Sequence, residues 1–290
     1  MTRSPAPLAL LAILAAAASF GQDFPAIDDV SGQLSGIRRQ TLQLQAIPQV
    51  PVYRAMGSGS GAAAAESAID AAGTPDVTAY GVRGIDISHY QHRVDWSVVK
   101  NDGLSFVYMK ATEGAEGVDE EFAANWAGAK TAGLRRGAYH FYNFCKGGAA
   151  QAALFVKTVP ADSGALPPTV DLEDSGDCKA MPAKAAFRKS FAAFVTAVQA
   201  AYGTLPVIYV NSNIYAKYFE GENDAYKVWV ADVKHASPDV PGWTIWQYGW
   251  HGTVAGIAGE VDLDVFNGTP EMLAALDSDD PVLVAGLGPR

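Results

Sequence analysis

Strand-like and helix-like segments alternate along residues 81–270, and this alternation constrains the fold more than any other feature of the chain. Short β-branched and aromatic runs such as 105–111 predict strands, and amphipathic runs such as 183–202 predict helices. Counting these runs gives five β/α units and then three strands with little helix between them, at 227–233, 243–248 and 261–266. The pattern predicts an α/β fold, an irregular TIM-like (β/α)5(β)3 barrel in a single domain, rather than an open doubly wound sheet.

The first residues have the pattern of a secretory signal peptide. Arg3 precedes an apolar stretch at 8–18, and the small residues that follow predict cleavage near Gly21. A single membrane anchor is the alternative, but the apolar stretch is short for one. We therefore expect residues 1–21 to be removed and the mature protein to be secreted or periplasmic, with no transmembrane segment.

The remaining chain divides into three parts. Residues 22–80 are predicted to be an N-terminal extension that ends in a flexible linker, because 57–65 is a low-complexity Gly/Ser/Ala run. Residues 81–270 form the predicted barrel, and 271–290 a C-terminal tail. We expect the protein to be a monomer.

The composition excludes several classes of function. A formal net charge of -10 gives no basic surface for nucleic acid. Since no strand is followed by a Gly-rich phosphate loop and the histidines lack ligand spacing, we predict neither an organic cofactor nor a metal. Cys145 and Cys178 are an even pair in a chain bound for an oxidising compartment, although two unpaired thiols remain an alternative.

Four carboxylates are predicted to lie at strand ends, where barrels of this type carry their working residues. Asp86, Asp171 and Glu173 end two of the predicted strands, and Asp262 lies in the last one. Residues i and i+2 of a strand share a face, so Asp171 and Glu173 should point into the same space. Neighbouring carboxylates separate each other's pKa values, which suits acid-assisted cleavage of a glycosidic bond. A helix cap, a solvated loop or a Mg²⁺ or Ca²⁺ site are the alternatives.

Aromatic residues follow the same strand ends and could stack on sugar rings. They cluster at 139–142 and at 246–250. Because side chains alternate between the two faces of a strand, about half of them must belong to the core instead.

Taken together, the motifs resemble glycoside hydrolase family 25, the Chalaropsis-type lysozymes or N-acetylmuramidases. The resemblance covers about 81–270, with the motifs in order. They are GIDISHYQ, DW, KATEG, NWAGAKTAGL, GAYHFY, LPPTVDLED, PVIYV, WVAD, WQY and GEVDLDVFNG.

The resemblance implies hydrolysis of the β-1,4 bond between N-acetylmuramic acid and N-acetylglucosamine, with peptidoglycan glycan strands as the partner. By position, Glu173 would be the general acid and Asp171 would stabilise the transition state and orient the substrate acetamido group. Asp86 and Asp262 would complete the catalytic set. The implied substrate-binding residues are Tyr139, Tyr142, Tyr209, Asp232, Trp246 and Tyr248.

The barrel that the resemblance implies also bears on the pairing of the two cysteines. It would place Cys145 and Cys178 on neighbouring loops, which favours a disulfide.

One residue departs from the family pattern: Asp264 stands where Asn is frequent in the family, adding a carboxylate near Asp262. Two other functions remain open: an inactive barrel that binds peptidoglycan or another glycan, and a glycosidase acting on a chitin-like polymer.

Overall fold

Strands and helices alternate in the structure as they do in the sequence. The computed structural model describes residues 74–174, 178–222 and 226–276. The strands are β1 (Val82–Ile87), β2 (Phe106–Glu113), β3 (Gly117–Val118), β4 (Arg135–Phe141), β5 (Thr169–Leu172), β6 (Val207–Asn211), β7 (Val228–Ala231), β8 (Ile245–Gly252) and β9 (Val261–Phe266). The helices are α1 (Trp96–Val99), α2 (Phe122–Ala132), α3 (Gly148–Thr158), α4 (Lys184–Tyr202), α5 (Ser212–Tyr218) and α6 (Pro270–Ala274), with a 3₁₀ turn at His89–Gln91.

The strands form one sheet that closes on itself. Their order is β1-β9-β8-β7-β6-β5-β4-β2-β3, and a further pairing of β1 with β2 completes a ring from which only β3 is left out. The ring strands run parallel except β9, which is antiparallel to both of its neighbours. Five β/α units precede β7, β8 and β9, which follow one another without a helix. The predicted (β/α)5(β)3 barrel is confirmed, and the short β3 is an addition to it.

Side-chain alternation divides the core into two layers. The outer layer lies between the strands and the helices and contains residues such as Val170, Leu172 and Phe194. The inner layer fills the barrel and includes Phe106 and Tyr209. Because successive residues of a strand enter different layers, each strand can carry polar groups inside the barrel end while its other face packs on helices.

Packing continues past both predicted ends of the barrel. Tyr80 packs against Trp243 with ring centroids 5.2 Å apart. Leu273 and Leu276 are buried in the inner layer. The predicted signal peptide, nearly all of the predicted extension and linker, and residues 277–290 of the predicted tail lie outside the described residues. None of the helices in the described ranges is long and apolar enough to cross a bilayer.

A disulfide joins the loops that follow two neighbouring strands. Cys145 lies after β4 and Cys178 after β5, and the two residues are bonded with their Cα atoms 5.6 Å apart. The predicted pairing is therefore confirmed. It fastens the loop that begins with Glu173 to the adjacent loop.

Candidate active site

A cavity of about 190 Å³ opens at the end of the barrel to which the parallel strands point. This is the carboxyl end, where loops from successive strands meet. The cavity is lined by Asp86, Ser88, Tyr90, Lys110, Tyr139, Phe141, Asp171, Glu173, Tyr209, Trp229, Gln247 and Asp262. Six of the predicted site residues are in that set: Asp86, Asp171, Glu173, Asp262, Tyr139 and Tyr209.

β5 supplies two of the carboxylates through its alternation. Asp171 and Glu173 both line the cavity, while Leu172 between them is fully buried in the outer layer. The prediction that the two carboxylates share a face is therefore confirmed. Asp171 is buried and Glu173 is half-buried, so Glu173 lies nearer to the solvent.

β1 and β9 supply the other two carboxylates. The antiparallel register places Asp86 directly opposite Asp262. Directly opposed residues of such a pair have their Cα atoms about 4.5–5.5 Å apart, so their charges interact strongly. The four carboxylates thus come from three strands and meet at one cavity.

Gln247 of β8 hydrogen-bonds to Asp86 and Tyr209 at the inner end of the cavity, which we call its floor. Its Nε2 donates to Asp86 Oδ2 over 2.7 Å. Its Oε1 accepts from the Tyr209 hydroxyl at 2.8 Å and from Trp250 Nε1 at 3.0 Å. Since Gln247 is buried and its amide is held on both sides, the side chain has a fixed orientation and presents a donor to Asp86.

Burial and mutual repulsion raise the pKa values of the carboxylates. Burial is the main cause that raises the pKa of Asp86 to about 7, with a smaller contribution from the charge of Glu173. Burial, followed by the charges of Asp86 and Glu173, raises the pKa of Asp262 to about 8. Burial also raises the pKa of Glu173, against a smaller lowering by the charge of Lys110. The pKa of Asp171 is well above its ordinary range because of burial first and then the charges of Glu173 and Asp86. Near neutral pH the cavity can therefore supply a proton and also hold negative charge.

Two predicted aromatic residues lie on the other side of their strands. Tyr142 is fully buried in the outer layer, where its hydroxyl pairs with Ser190 Oγ at 3.0 Å. Trp246 is also fully buried there and donates from Nε1 to the carbonyl of Asp232 over 2.7 Å. Because alternation sends Phe141 and Gln247 to the cavity, their neighbours Tyr142 and Trp246 must face the helices. The expected contact of these two side chains with substrate does not fit this placement.

Tyr248 and Asp232 are likewise outside the set that lines the cavity. Tyr248 is half-buried against the outer layer, with its ring 6.1 Å from that of Trp246. Asp232 accepts from the backbone nitrogens of Lys234 and His235, at 3.1 and 3.2 Å, and pairs with the His235 ring at 2.8 Å. It thereby stabilises the loop after β7.

Six residues that line the cavity were not predicted as site residues: Ser88, Tyr90, Lys110, Phe141, Trp229 and Gln247. The signal for Gln247 was present, since a polar residue between two aromatics in a strand must face away from the apolar layer. Among the described residues that line the cavity, Lys110 is the only cation. Its Nζ lies 2.6 Å from Glu113 Oε2 and 4.6 Å from the centre of the Phe141 ring.

Two other places in the described ranges could bind a ligand. A larger cavity of about 310 Å³ is lined by apolar residues such as Trp126 and Pro167, and its one carboxylate, Asp162, is already paired with Lys130 and Arg136. Asp232, His235 and Asp239 each place a ligand atom within 4.8 Å of the others, and the last two residues are exposed. Neither place gathers unpaired acids as the smaller cavity does.

Comparisons with known proteins agree with this geometry. The profile of the family described as Glycosyl hydrolases family 25 matches residues 85–257. Lysozyme M1 of Streptomyces globisporus is 37% identical over 209 residues, which are 68% of this chain and 71% of that protein. The N,O-diacetylmuramidase of Chalaropsis sp is 32% identical over 204 residues, 62% of this chain and 96% of that protein.

The solved structures give the same result. The crystal structure of the bacterial lysozyme from Streptomyces coelicolor superposes with a TM-score of 0.62 at 35% identity, covering 69% of this chain and 98% of that one. The residues that match the family profile include three of the four carboxylates of the cavity, Asp86, Asp171 and Glu173. The chain therefore belongs to glycosyl hydrolase family 25 and is a glycoside hydrolase of the lysozyme type.

Proposed function

We propose that this lysozyme hydrolyses the β-1,4 bond between N-acetylmuramic acid and N-acetylglucosamine in peptidoglycan, with Glu173 as the general acid. The observation that carries the proposal is the position of Glu173. It lines the cavity on the same face as Asp171, and it is only half-buried, so a glycosidic oxygen can reach it. Its raised pKa leaves a proton available for the leaving oxygen, and the resulting carboxylate can then activate water.

Asp171 suits a different role because it lies deeper. Its Oδ1 is buried and accepts a hydrogen bond from none of the described residues. A buried carboxylate oxygen without a donor is costly, so it is suited to receive one from a ligand. In this proposal Asp171 accepts from the N–H of the substrate acetamido group and stabilises the positive charge that develops at the anomeric carbon. If that acetamido group is the internal nucleophile, Asp171 also orients it.

Aromatic side chains provide surfaces for the sugar rings. Tyr139 and Tyr209 line the cavity from strands that flank β5, which supports a role for both in holding the acetamido group and the ring near Asp171. Tyr90 stands at the edge with 73% of its surface exposed. An exposed aromatic ring beside a polar cavity is suited to stack on a sugar.

The test is digestion of purified peptidoglycan by the mature protein and by Glu173→Gln. We expect new muramic acid reducing ends from the unmodified protein, and a fall of about 10²–10⁴-fold in their rate of formation with Glu173→Gln. Glu120→Gln is the matched control, because Glu120 is exposed and outside the cavity. Glucosamine reducing ends would contradict the bond assignment, and equal rates for the two enzymes would contradict the role of Glu173.

The same digestion separates this proposal from the two other functions. Co-sedimentation with peptidoglycan without release of reducing ends would indicate a binding protein. Faster cleavage of a chitin-like polymer than of peptidoglycan would indicate another glycosidase.

We also propose that the protein is secreted or periplasmic. The pattern of residues 1–21 supports this, and so does the Cys145–Cys178 disulfide, since disulfides persist in oxidising compartments. Mass spectrometry of the exported protein is expected to show a new N-terminus near Gly21. A full-length protein confined to the cytoplasm would contradict the proposal.

A further inference from the structure

Asp264 is a fifth carboxyl group beside the cavity, and the mechanism proposed above does not use it. It lies in β9 with its side chain inside the barrel and is fully buried. Its partners in the sheet are Gly84 of β1 and Gln247 of β8. It therefore lies one layer below Asp262, away from the solvent.

The hydrogen bonds of Asp264 are incomplete for an ionised carboxylate. Trp229 Nε1 donates to Oδ1 over 2.8 Å. Oδ2 is buried and accepts from no donor among the described residues. The remaining hydrogen-bonding neighbour is the carboxyl group of Asp86. Two carboxylates cannot hydrogen-bond each other unless one of them carries a proton.

The surrounding donors decide which of the two carries it. Asp86 already accepts from Gln247 Nε2 at 2.7 Å, and it borders the cavity, so its ionised form has a donor. Asp264 has only the indole N–H of Trp229 and no access to solvent. An isolated buried charge costs far more than a neutral acid that donates one hydrogen bond.

We propose that Asp264 is a positioning residue that stays protonated at neutral pH and donates its O–H to Asp86. Asp86 is then held by two donors, Gln247 and Asp264, which favour its ionised form at the floor of the cavity. That charge acts on Asp262, whose proton it helps to retain. The catalytic part of this inference rests on the function proposed above, whereas the protonation of Asp264 does not.

The titratable groups that face Asp264 all favour its neutral form. Asp86 faces it from β1 and Asp262 lies beside it on β9, and burial followed by these two charges raises its pKa well above the ordinary range. Tyr108 faces it from β2, and its own pKa is raised by burial and by the charge of Asp264. The single group acting in the opposite direction is the donor Trp229. Loss of this proton would place a second negative charge beside Asp86 and disrupt the floor.

A pair of substitutions tests the role of the proton. Asp264→Asn keeps the shape of a protonated carboxyl group, since its amide can donate to Asp86 and accept from Trp229. Asp264→Leu removes the donor. We expect Asp264→Leu to lower kcat about tenfold or more and to move the acid limb of the pH profile upward, because the pKa of Asp86 rises without that donor. Asp264→Asn should recover most of this loss.

A spectroscopic readout keeps the inference testable without activity and without Asp264→Leu, should that variant fail to fold. At pH 7 the infrared spectrum of the unmodified protein minus that of Asp264→Asn should contain the carbonyl stretch of one protonated carboxylic acid. Absence of that band would show that Asp264 is ionised and would overturn the inference. It would also be overturned if Asp264→Asn were as impaired as Asp264→Leu, since a charge would then be required. If no peptidoglycan is cleaved by any form, the band still decides the protonation.

Discussion

Gln247 Nε2 donates to Asp86 Oδ2 over 2.7 Å, although the two residues are 161 positions apart in the chain. The bond joins β8 to β1 across the barrel interior, because β9 lies between these strands in the sheet. It also lowers the pKa of Asp86 against the effect of burial. The charge on the cavity floor therefore depends on the amide of Gln247.

Replacing Gln247 with Met should shift the pH dependence of the enzyme. Met has nearly the same length but cannot donate to Asp86, so the pKa of Asp86 should rise above about 7. We expect kcat/KM on soluble peptidoglycan to fall about tenfold, with its acid limb at higher pH. Gln199→Met, at an exposed position of α4, is the control. An unchanged pH profile in Gln247→Met would argue against a role for the Gln247–Asp86 bond.

Asp262→Asn should stabilise the protein at alkaline pH and have little effect at acid pH. Folded Asp262 holds its proton to about pH 8, whereas an unfolded Asp ionises near pH 3.8. Between these values the folded state binds more protons than the unfolded state, so this group lowers stability as pH rises. We expect the free energy of unfolding of Asp262→Asn to exceed that of the unmodified protein by about 1–2 kcal/mol at pH 8, allowing for solvent screening.

Thermal unfolding across pH 4 to pH 8 measures this effect. The gain in Tm should grow steadily with pH and vanish near pH 4. Glu120→Gln removes an exposed carboxylate and should show no such trend. A gain in Tm that is the same at pH 4 and at pH 8 would mean that ionisation of Asp262 does not cause the change in stability.

Asp162→Asn should have the opposite pH dependence. Asp162 Oδ2 lies 2.8 Å from Lys130 Nζ and 2.6 Å from an Arg136 terminal nitrogen. Hydrogen bonds from Lys130 and from the Gly164 backbone hold the pKa of Asp162 well below its usual range. Its stabilising effect is therefore complete above about pH 4 and is lost as pH falls toward the folded pKa. We expect Asp162→Asn to lower the free energy of unfolding by about 1–3 kcal/mol at pH 7, and by less below pH 4, as measured by urea unfolding. A loss independent of pH would indicate a packing effect instead.

Removal of the disulfide should lower stability without changing the fold. The bond closes a loop with a sequence separation of 33. Loop-closure entropy for this length corresponds to about 3–4 kcal/mol. We expect urea denaturation to show that the free energy of unfolding of Cys145→Ser/Cys178→Ser is lower by that amount. The unmodified protein in reductant should have the same lowered value. Equal stability of the oxidised and reduced proteins would contradict the contribution assigned to the bond.

Trp246 of β8 and Trp229 of β7 lie on adjacent strands, but their side chains point to opposite faces of the sheet. Trp246 packs in the outer layer, whereas Trp229 lies inside the barrel and donates to Asp264. Trp246→Phe should therefore lower Tm and leave KM unchanged. Trp229→Phe should change the pH profile as well as Tm, because Asp264 loses the one N–H donor that it has among the described residues. A raised KM with Trp246→Phe would restore the expectation that Trp246 binds substrate.

The sequence by itself determined the order of elements and the face that Asp171 and Glu173 share. Both follow from local rules: the alternation of strand and helix, and the period of two along a strand. The positions at which helices end were also predictable from local sequence. Gly133 and Gly203 end α2 and α4 in the left-handed conformation, with φ of 79° and 77°.

The tertiary structure decided which face of each strand borders the cavity and which distant side chains meet there. For β8, alternation in the motif Trp-Gln-Tyr indicates the face of Gln247, but only closure of the ring places this side chain against Asp86. The meeting of Asp264 with Asp86 depends on the antiparallel register of the last strand, which no local pattern specifies. Register and closure are set by packing of the whole barrel, whereas alternation is set within a single strand.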